Sequence, residues 1–158
     1  MHIYRLECEQ LIKAPIGQVW DFFSSPANLG KITPARMNFR IVKMEGDRMF
    51  AGQRIEYRVS VLPLVRLTWV TEITEVEDQT MFVDEQRKGP YALWKHRHTF
   101  EQTPEGVMMR DVVEYAIPLG LLGRLANWLL VENQVRGIFR FRFQAVERLF
   151  PQSASASV

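Results

Sequence analysis

Between Met37 and Ile117 the chain is a succession of short runs rich in Val, Ile, Thr and aromatic residues, each ended by turn-forming residues. The runs Phe39–Met44, Gln53–Val61, Leu67–Val76, Met81–Arg87, Tyr91–Gln102 and Val107–Ile117 read as strands. The segments Glu45-Gly46-Asp47, Leu62-Pro63-Leu64, Glu77-Asp78-Gln79, Lys88-Gly89-Pro90 and Thr103-Pro104-Glu105-Gly106 read as the turns between them. A parallel crossover needs a dozen or more residues, and these connections are too short for one. Six consecutive strands must therefore form an antiparallel meander, and the rest of the chain has to pack on it.

Little is left to do the packing. Tyr4 to Ile12 reads as a further strand, closed by Ala14-Pro15, and Val19, Trp20, Phe22 and Phe23 give Ile16 to Phe23 a helical apolar stripe that Pro15 introduces. Ser25-Pro26-Ala27-Asn28 starts a second short helix through Leu29 and Ile32, which Pro34 ends. After Pro118 to Gly123, read as a loop, a long helix runs from about Arg124 to Phe150. Leu125, Leu129, Glu132, Val135, Phe139, Phe143, Val146 and Phe150 mark its packed face at steps of three and four, with Arg136, Arg140 and Glu147 off that stripe. Arg136, Arg140 and Arg142 read as a solvated basic surface, softened by an i,i+4 pairing of Glu132 with Arg136. At about 1.5 Å per residue the helix spans roughly 40 Å, enough to cross a curved sheet. The fold class is α+β: about seven antiparallel strands wrapped around one long C-terminal helix, with two short helices after the first strand. One helix does not fill a sheet of that size, and the space between them is where a ligand cavity belongs.

The chain's 158 residues suit a single domain, taken as 1–150, followed by a small polar tail at 151–158 that reads as disordered. A formal net charge of +2 argues against nucleic acid as a partner. Cys8 is the single cysteine, so no internal disulfide forms, and the start Met1-His2-Ile3-Tyr4-Arg5 lacks the pattern of a signal peptide. A cytoplasmic location is the expectation. No apolar run approaches the roughly 20 residues of a membrane-spanning helix. Nothing in the sequence calls for a cofactor or sets an oligomeric state.

The chemistry concentrates in Tyr91 to Gln102. Strand period puts Trp94, His96, His98 and Phe100 on one face, opposite Leu93, Lys95, Arg97 and Thr99. If the turn at Thr103 to Gly106 pairs Gln102 with Val107, His98 lies opposite Asp111, Phe100 opposite Met109, His96 opposite Val113 and Trp94 opposite Tyr115. The turn at Lys88 to Pro90 places Phe82, Asp84 and Gln86 beside Trp94 and His96. Trp69, Thr71 and Ile73 alternate as one inward face, and Tyr57, Val59 and Val61 as another. An aspartate beside a histidine fixes its tautomer and raises its basicity, so His98 and Asp111 are candidates for proton transfer. Two histidines at i and i+2 with Asp111 or Asp84 also suit a strand-borne metal site, though the expectation is that no metal is held. A nucleophilic role for Cys8 has no supporting Gly-x-Ser-x-Gly turn, and no phosphate-cradling loop is present. Pro118 to Gly123, with Leu119, Leu121 and Leu122, reads either as ordinary packing or as a lid or transient membrane contact.

Certain segments resemble a known group: Ala14-Pro15 with Val19-Trp20-Asp21-Phe22-Phe23, then Phe82-Val83-Asp84-Glu85-Gln86 leading to Gly89-Pro90-Tyr91 and Trp94-Lys95-His96-Arg97-His98-Thr99-Phe100-Glu101, and the exit Tyr115-Ala116-Ile117-Pro118-Leu119-Gly120. Together with the element order they resemble the helix-grip fold of the START-like, or Bet v 1-like (SRPBCC), superfamily, in its bacterial polyketide cyclase/dehydrase-like or coenzyme Q-binding-like branch. The resemblance covers about Tyr4 to Phe150 and implies a cavity for a hydrophobic small molecule such as a lipid, a quinone or a polyketide-like ring. The expected ligand contacts are Trp69, Phe82, Asp84, Gln86, Trp94, His96, His98, Phe100, Met109, Asp111, Tyr115 and Phe139. Three functions follow as alternatives: a carrier or sensor, a cyclase or dehydratase using His98 and Asp111, and a regulatory domain with a vestigial cavity.

Overall fold

The computed structural model describes residues 1–151. The expectation of a disordered tail lies outside those residues, apart from Pro151. Strand β1 is Tyr4–Ile12 and helix α1 is Ile16–Phe23, with Pro15 in extended conformation just before it, one position earlier than the first turn. Two 3₁₀ segments follow: Pro26–Ile32, which ends before Pro34 as expected, and one further turn, Ala35–Met37, beyond it. The meander is β2 Arg40–Met44, β3 Arg54–Leu62, β4 Val65–Glu77, β5 Met81–Lys88, β6 Leu93–Thr103 and β7 Gly106–Ala116. These bounds lie within two residues of the spans read from sequence.

One seven-stranded antiparallel sheet results, in the order β1-β7-β6-β5-β4-β3-β2. Five of its contacts are hairpins between sequence neighbours. The sixth, Tyr4↔Tyr115 through Ile12↔Val107, joins the first strand to the last. Gly106 makes that join close, because a Cβ there would sit 2.4 Å from the Ile12 carbonyl oxygen. Register shifts between Ile41 and Lys43, Ser60 and Leu62, Val70 and Thr71, and Ile73 and Glu75 bend β2 to β5. Such bulges add local twist and curl the sheet around what it holds.

The segment read as a loop before the long helix is partly helix. Helix α2 covers Gly120–Ala126, one π turn covers Asn127–Val131, and α3 covers Glu132–Leu149, so the helical run begins four residues earlier than the spacing indicates. It begins sharply. Leu119 is left-handed at φ 74°, and Gly123 packs so tightly on the turn that a Cβ would lie 2.0 Å from the Pro118 oxygen. The π turn carries Asn127, which is buried and accepts a hydrogen bond from the Tyr115 hydroxyl at 3.1 Å. Extra residues in one turn rotate the helix on its axis. Its packed face therefore changes: Val135, Phe139, Arg142, Ala145 and Val146 are buried, while Leu125, Leu129 and Phe143 face out.

Three apolar clusters line the space between sheet and helices. Trp20 and Phe23 of α1 meet Phe82, Phe100 and Met109 at one end. Val113 and Tyr115 meet Val135 and Phe139 near the start of α3. Met37, Val59 and Trp69 form the third. The clusters enclose a cavity rather than merging into one core.

Candidate functional site

The cavity between the sheet and α3 has a volume of about 150 Å³, comparable with one that accepts a benzene-sized ring. Its walls are mainly apolar, from Ile55, Tyr57, Val59 and Val61 of β3, Trp69 and Ile73 of β4, and Ile138 and Phe139 of α3. Both inward faces expected on β3 and β4 contribute. At one side sit Asp84, His96, His98 and Arg142.

Register sets that polar side. Gln102↔Val107 is the pairing, so His98 faces Asp111, Phe100 faces Met109, His96 faces Val113 and Trp94 faces Tyr115. On the other neighbour, Phe82 faces His98 and Asp84 faces His96. Histidine side chains reach beyond their direct partners, and here each imidazole touches both carboxylates. His98 Nε2 lies 2.9 Å from Asp84 Oδ2, and its Nδ1 lies 2.8 Å from Asp111 Oδ1. His96 Nε2 is 2.9 Å from Asp111 Oδ1, and its Nδ1 is 3.6 Å from Asp84 Oδ2. The two rings are 3.7 Å apart, and Phe82 stacks on His98 at 4.1 Å.

The fifth member is Arg142, placed in the sequence reading on a solvated basic surface. That expectation fails: Arg142 is 9% exposed, with Nη2 3.2 Å from His98 Nδ1 and 3.6 Å from Asp111 Oδ1. Its guanidinium also lies 5.6 Å from the centre of the Phe23 ring and 6.0 Å from that of Phe139. The signal was present in the sequence, since 135, 139, 142 and 146 continue the apolar stripe at steps of four, three and four. An arginine on a stripe of that kind is a buried partner for a carboxylate.

Electrostatics follow from burial and these contacts. Burial and the neighbouring His98 push His96 down to about 4, against the upward pull of Asp111 and Asp84, so His96 is neutral near pH 7. Burial would raise the Asp111 carboxyl, but Arg142 and the hydrogen bonds from His96 and His98 win and hold it well below its usual range. Asp84 is lowered too, burial being outweighed by its hydrogen bond from His98 and by the two imidazoles and Arg142.

The other expected contacts divide. Trp69, Phe82, Trp94 and Phe139 line the cavity with Asp84, His96 and His98. Asp111 stands behind the histidines, outside the lining. Phe100 and Met109 are also outside it, because β6 and β7 run on under α1 and both side chains join its cluster. Tyr115 is turned to Asn127 and packs with Tyr4. Gln86 is not opposite Trp94, because the β5–β6 ladder ends at Glu85↔Lys95. Its amide instead clasps the connecting turn, donating to the Tyr91 oxygen at 2.8 Å and accepting from the Tyr91 nitrogen at 3.3 Å. Lining residues absent from the sequence list include Tyr91 and the hydroxyl pair Tyr57 and Thr71, 3.0 Å apart. Two buried donors in the lining, Trp69 Nε1 and Arg142 Nε, have no hydrogen-bond partner among the described residues.

Comparison with known proteins agrees with this architecture. The family model described as polyketide cyclase / dehydrase and lipid transport matches residues 5–150. A protein of Streptomyces halstedii named "Putative polyketide cyclase" is 29% identical over 108 residues, covering 66% of this chain and 94% of its own. Among solved structures, a Thermus thermophilus protein superposes with a TM-score of 0.69 at 17% identity, over 92% of this chain and 99% of its own. The major latex-like protein 151 of Panax ginseng, a Bet v 1-like protein, gives 0.69 at 13% identity, over 94% and 98%. These two likenesses establish the fold, a curved antiparallel sheet around a long C-terminal helix, and the family match establishes kinship: the chain belongs to the polyketide cyclase / dehydrase and lipid transport family.

Proposed function

We propose that this protein binds a hydrophobic small molecule with an oxygen-bearing end, as a carrier or sensor. The observation that carries the reading is the mainly apolar cavity with one polar side, where Asp84, His96, His98 and Arg142 meet. Apolar walls supply affinity through burial, while Arg142 and His96 set orientation. A volume of about 150 Å³ encloses one ring or a short chain, so a larger polycyclic or lipid ligand extends beyond it or displaces side chains. Native mass spectrometry of protein purified from the cells that make it tests the reading: a bound organic mass is expected, lost on denaturation. Repeatedly empty spectra would overturn it.

A second reading, cyclase or dehydratase, is favoured by one contact, the 2.8 Å separation of His98 Nδ1 and Asp111 Oδ1. In it Asp111 orients His98, which takes a proton from carbon beside a substrate carbonyl and returns one to the departing oxygen. The name of the Streptomyces halstedii relative points the same way. His98→Ala would then abolish turnover of a polyketide-like substrate and spare its binding; retained turnover removes the assignment.

Delivery belongs to the same proposal. Leu121, Leu122, Leu125, Trp128 and Leu129 fall within about one third of the helix circumference and are all more than half exposed. The exposed Leu62, Leu64 and Val65 of the β3–β4 turn lie near the same helix, because Gln134 hydrogen-bonds the Val61 carbonyl. Gln134 and Val61 both line the cavity. An apolar face carrying Trp128, with Arg124 and Arg66 nearby, fits the interface of an anionic bilayer, from which a lipid-like ligand enters. Flotation with liposomes containing phosphatidylserine should carry the wild type upward and leave Leu125→Glu/Trp128→Glu behind.

A further inference from the structure

Asp84, His96 and His98 each offer one ligating atom, and the three atoms lie within 4.8 Å of one another. We propose that they form a site for a divalent transition metal of the zinc or iron(II) kind, set in the cavity wall. The atoms are Asp84 Oδ2, His98 Nε2 and His96 Nδ1, with Oδ2 2.9 Å from the first nitrogen and 3.6 Å from the second. Ligands about 2.0–2.2 Å from zinc are separated by about 3 Å at right angles and about 3.4 Å at tetrahedral angles, so the two separations from Asp84 Oδ2 need only small adjustment, and the two nitrogens lie within 4.8 Å of each other.

What stands behind the histidines is as informative as the histidines themselves. Metal-bound imidazoles almost always give their other N–H to a carboxylate, carbonyl or water. Asp111 Oδ1 receives that of His96 Nε2 at 2.9 Å and lies 2.8 Å from His98 Nδ1, within reach of the second. The contact at His96 Nε2 selects the tautomer that leaves His96 Nδ1 with a free lone pair toward Asp84, while His98 shares its Nε2 proton with Asp84 and accepts from Arg142 at Nδ1. A metal ion set among the three donors would take the place of the proton that His98 Nε2 shares with Asp84. Arg142 does not pre-empt it, because the guanidinium sits on the Asp111 side of His98.

Two imidazoles and a carboxylate suit zinc, iron or copper and exclude magnesium and calcium, which take oxygen. Three protein ligands leave a position open, and here it opens on the cavity. An oxygen of whatever the cavity holds, or water, completes the coordination.

The proposal stands apart from the carrier reading: zinc without an organic ligand keeps the site and removes the carrier, and the reverse removes the site alone. The full chain, stripped with chelator, is titrated with Zn²⁺ by calorimetry and elemental analysis. One ion per chain is expected, with Asp84→Asn and His96→Gln each lowering affinity at least 100-fold and Asp111→Asn about 10–100-fold. His2→Ala/Cys8→Ser should bind as the wild type does. Wild type without a stoichiometric ion overturns the site, as does wild-type affinity in Asp84→Asn and His96→Gln. Imidazole ¹⁵N shifts of the wild type need no variant to fold: zinc should move His96 Nδ1 and His98 Nε2, and a shift confined to His2 overturns the proposal.

Discussion

At the scale of residues, the cluster of Asp84, His96, His98, Asp111 and Arg142 makes stability depend on acid. His96 titrates near 4 when folded and near 6.5 when unfolded, so between those values the unfolded chain binds the extra proton. Stability therefore falls as pH drops from 6.5 to 4, by about 3 kcal/mol at 1.36 kcal/mol per unit. Asp84 and Asp111, both lowered, act in the same direction further down: their contribution is present above the unfolded value near 3.9 and is lost as pH falls through their folded values. Urea denaturation of chelator-treated protein across pH 4–7.5 should show this slope, and His96→Gln should flatten the part above pH 4. Arg142→Met tests the buried pair. Removing one partner of such a pair costs about 3–5 kcal/mol, and the lower end applies here because His96 and His98 still contact Asp111. Arg142→Met/Asp111→Asn should recover part of that loss.

At the scale of elements, the helical run is set by its first turns. Gly123→Ala places a methyl 2.0 Å from the Pro118 carbonyl oxygen, and because that contact is backbone the turn has to move. A drop in thermal midpoint with altered near-ultraviolet dichroism is expected. Tyr115→Phe leaves the Asn127 amide oxygen buried without its donor, at about 1–3 kcal/mol in chemical denaturation. Ile55→Ala, by contrast, tests plain packing: a fully buried side chain of β3 bordering the cavity should cost about 2–5 kcal/mol. The upper end would mean that the neighbouring walls do not relax into the vacated space.

At the scale of the molecule, a sheet curled by bulges and closed by β1 against β7 holds apart two surfaces that a small core would have merged. Cavity, polar cluster and exposed apolar helix face all depend on that spacing. Much of this was legible in the sequence. Strand period and short turns determined the six-strand meander within two residues at each end, and the turn at Thr103 to Gly106 determined the register that sets His98 opposite Asp111. Both are local: alternation and turn length act between residues close along the chain. The tertiary structure alone decided the β1–β7 pairing and the departure of Phe100, Met109 and Tyr115 from the cavity wall. Those depend on where α1 lands on the sheet and how a π turn rotates the helix toward it. Periodicity fixes which residues share a face; only packing decides which part of that face meets a ligand, a neighbouring helix or the solvent.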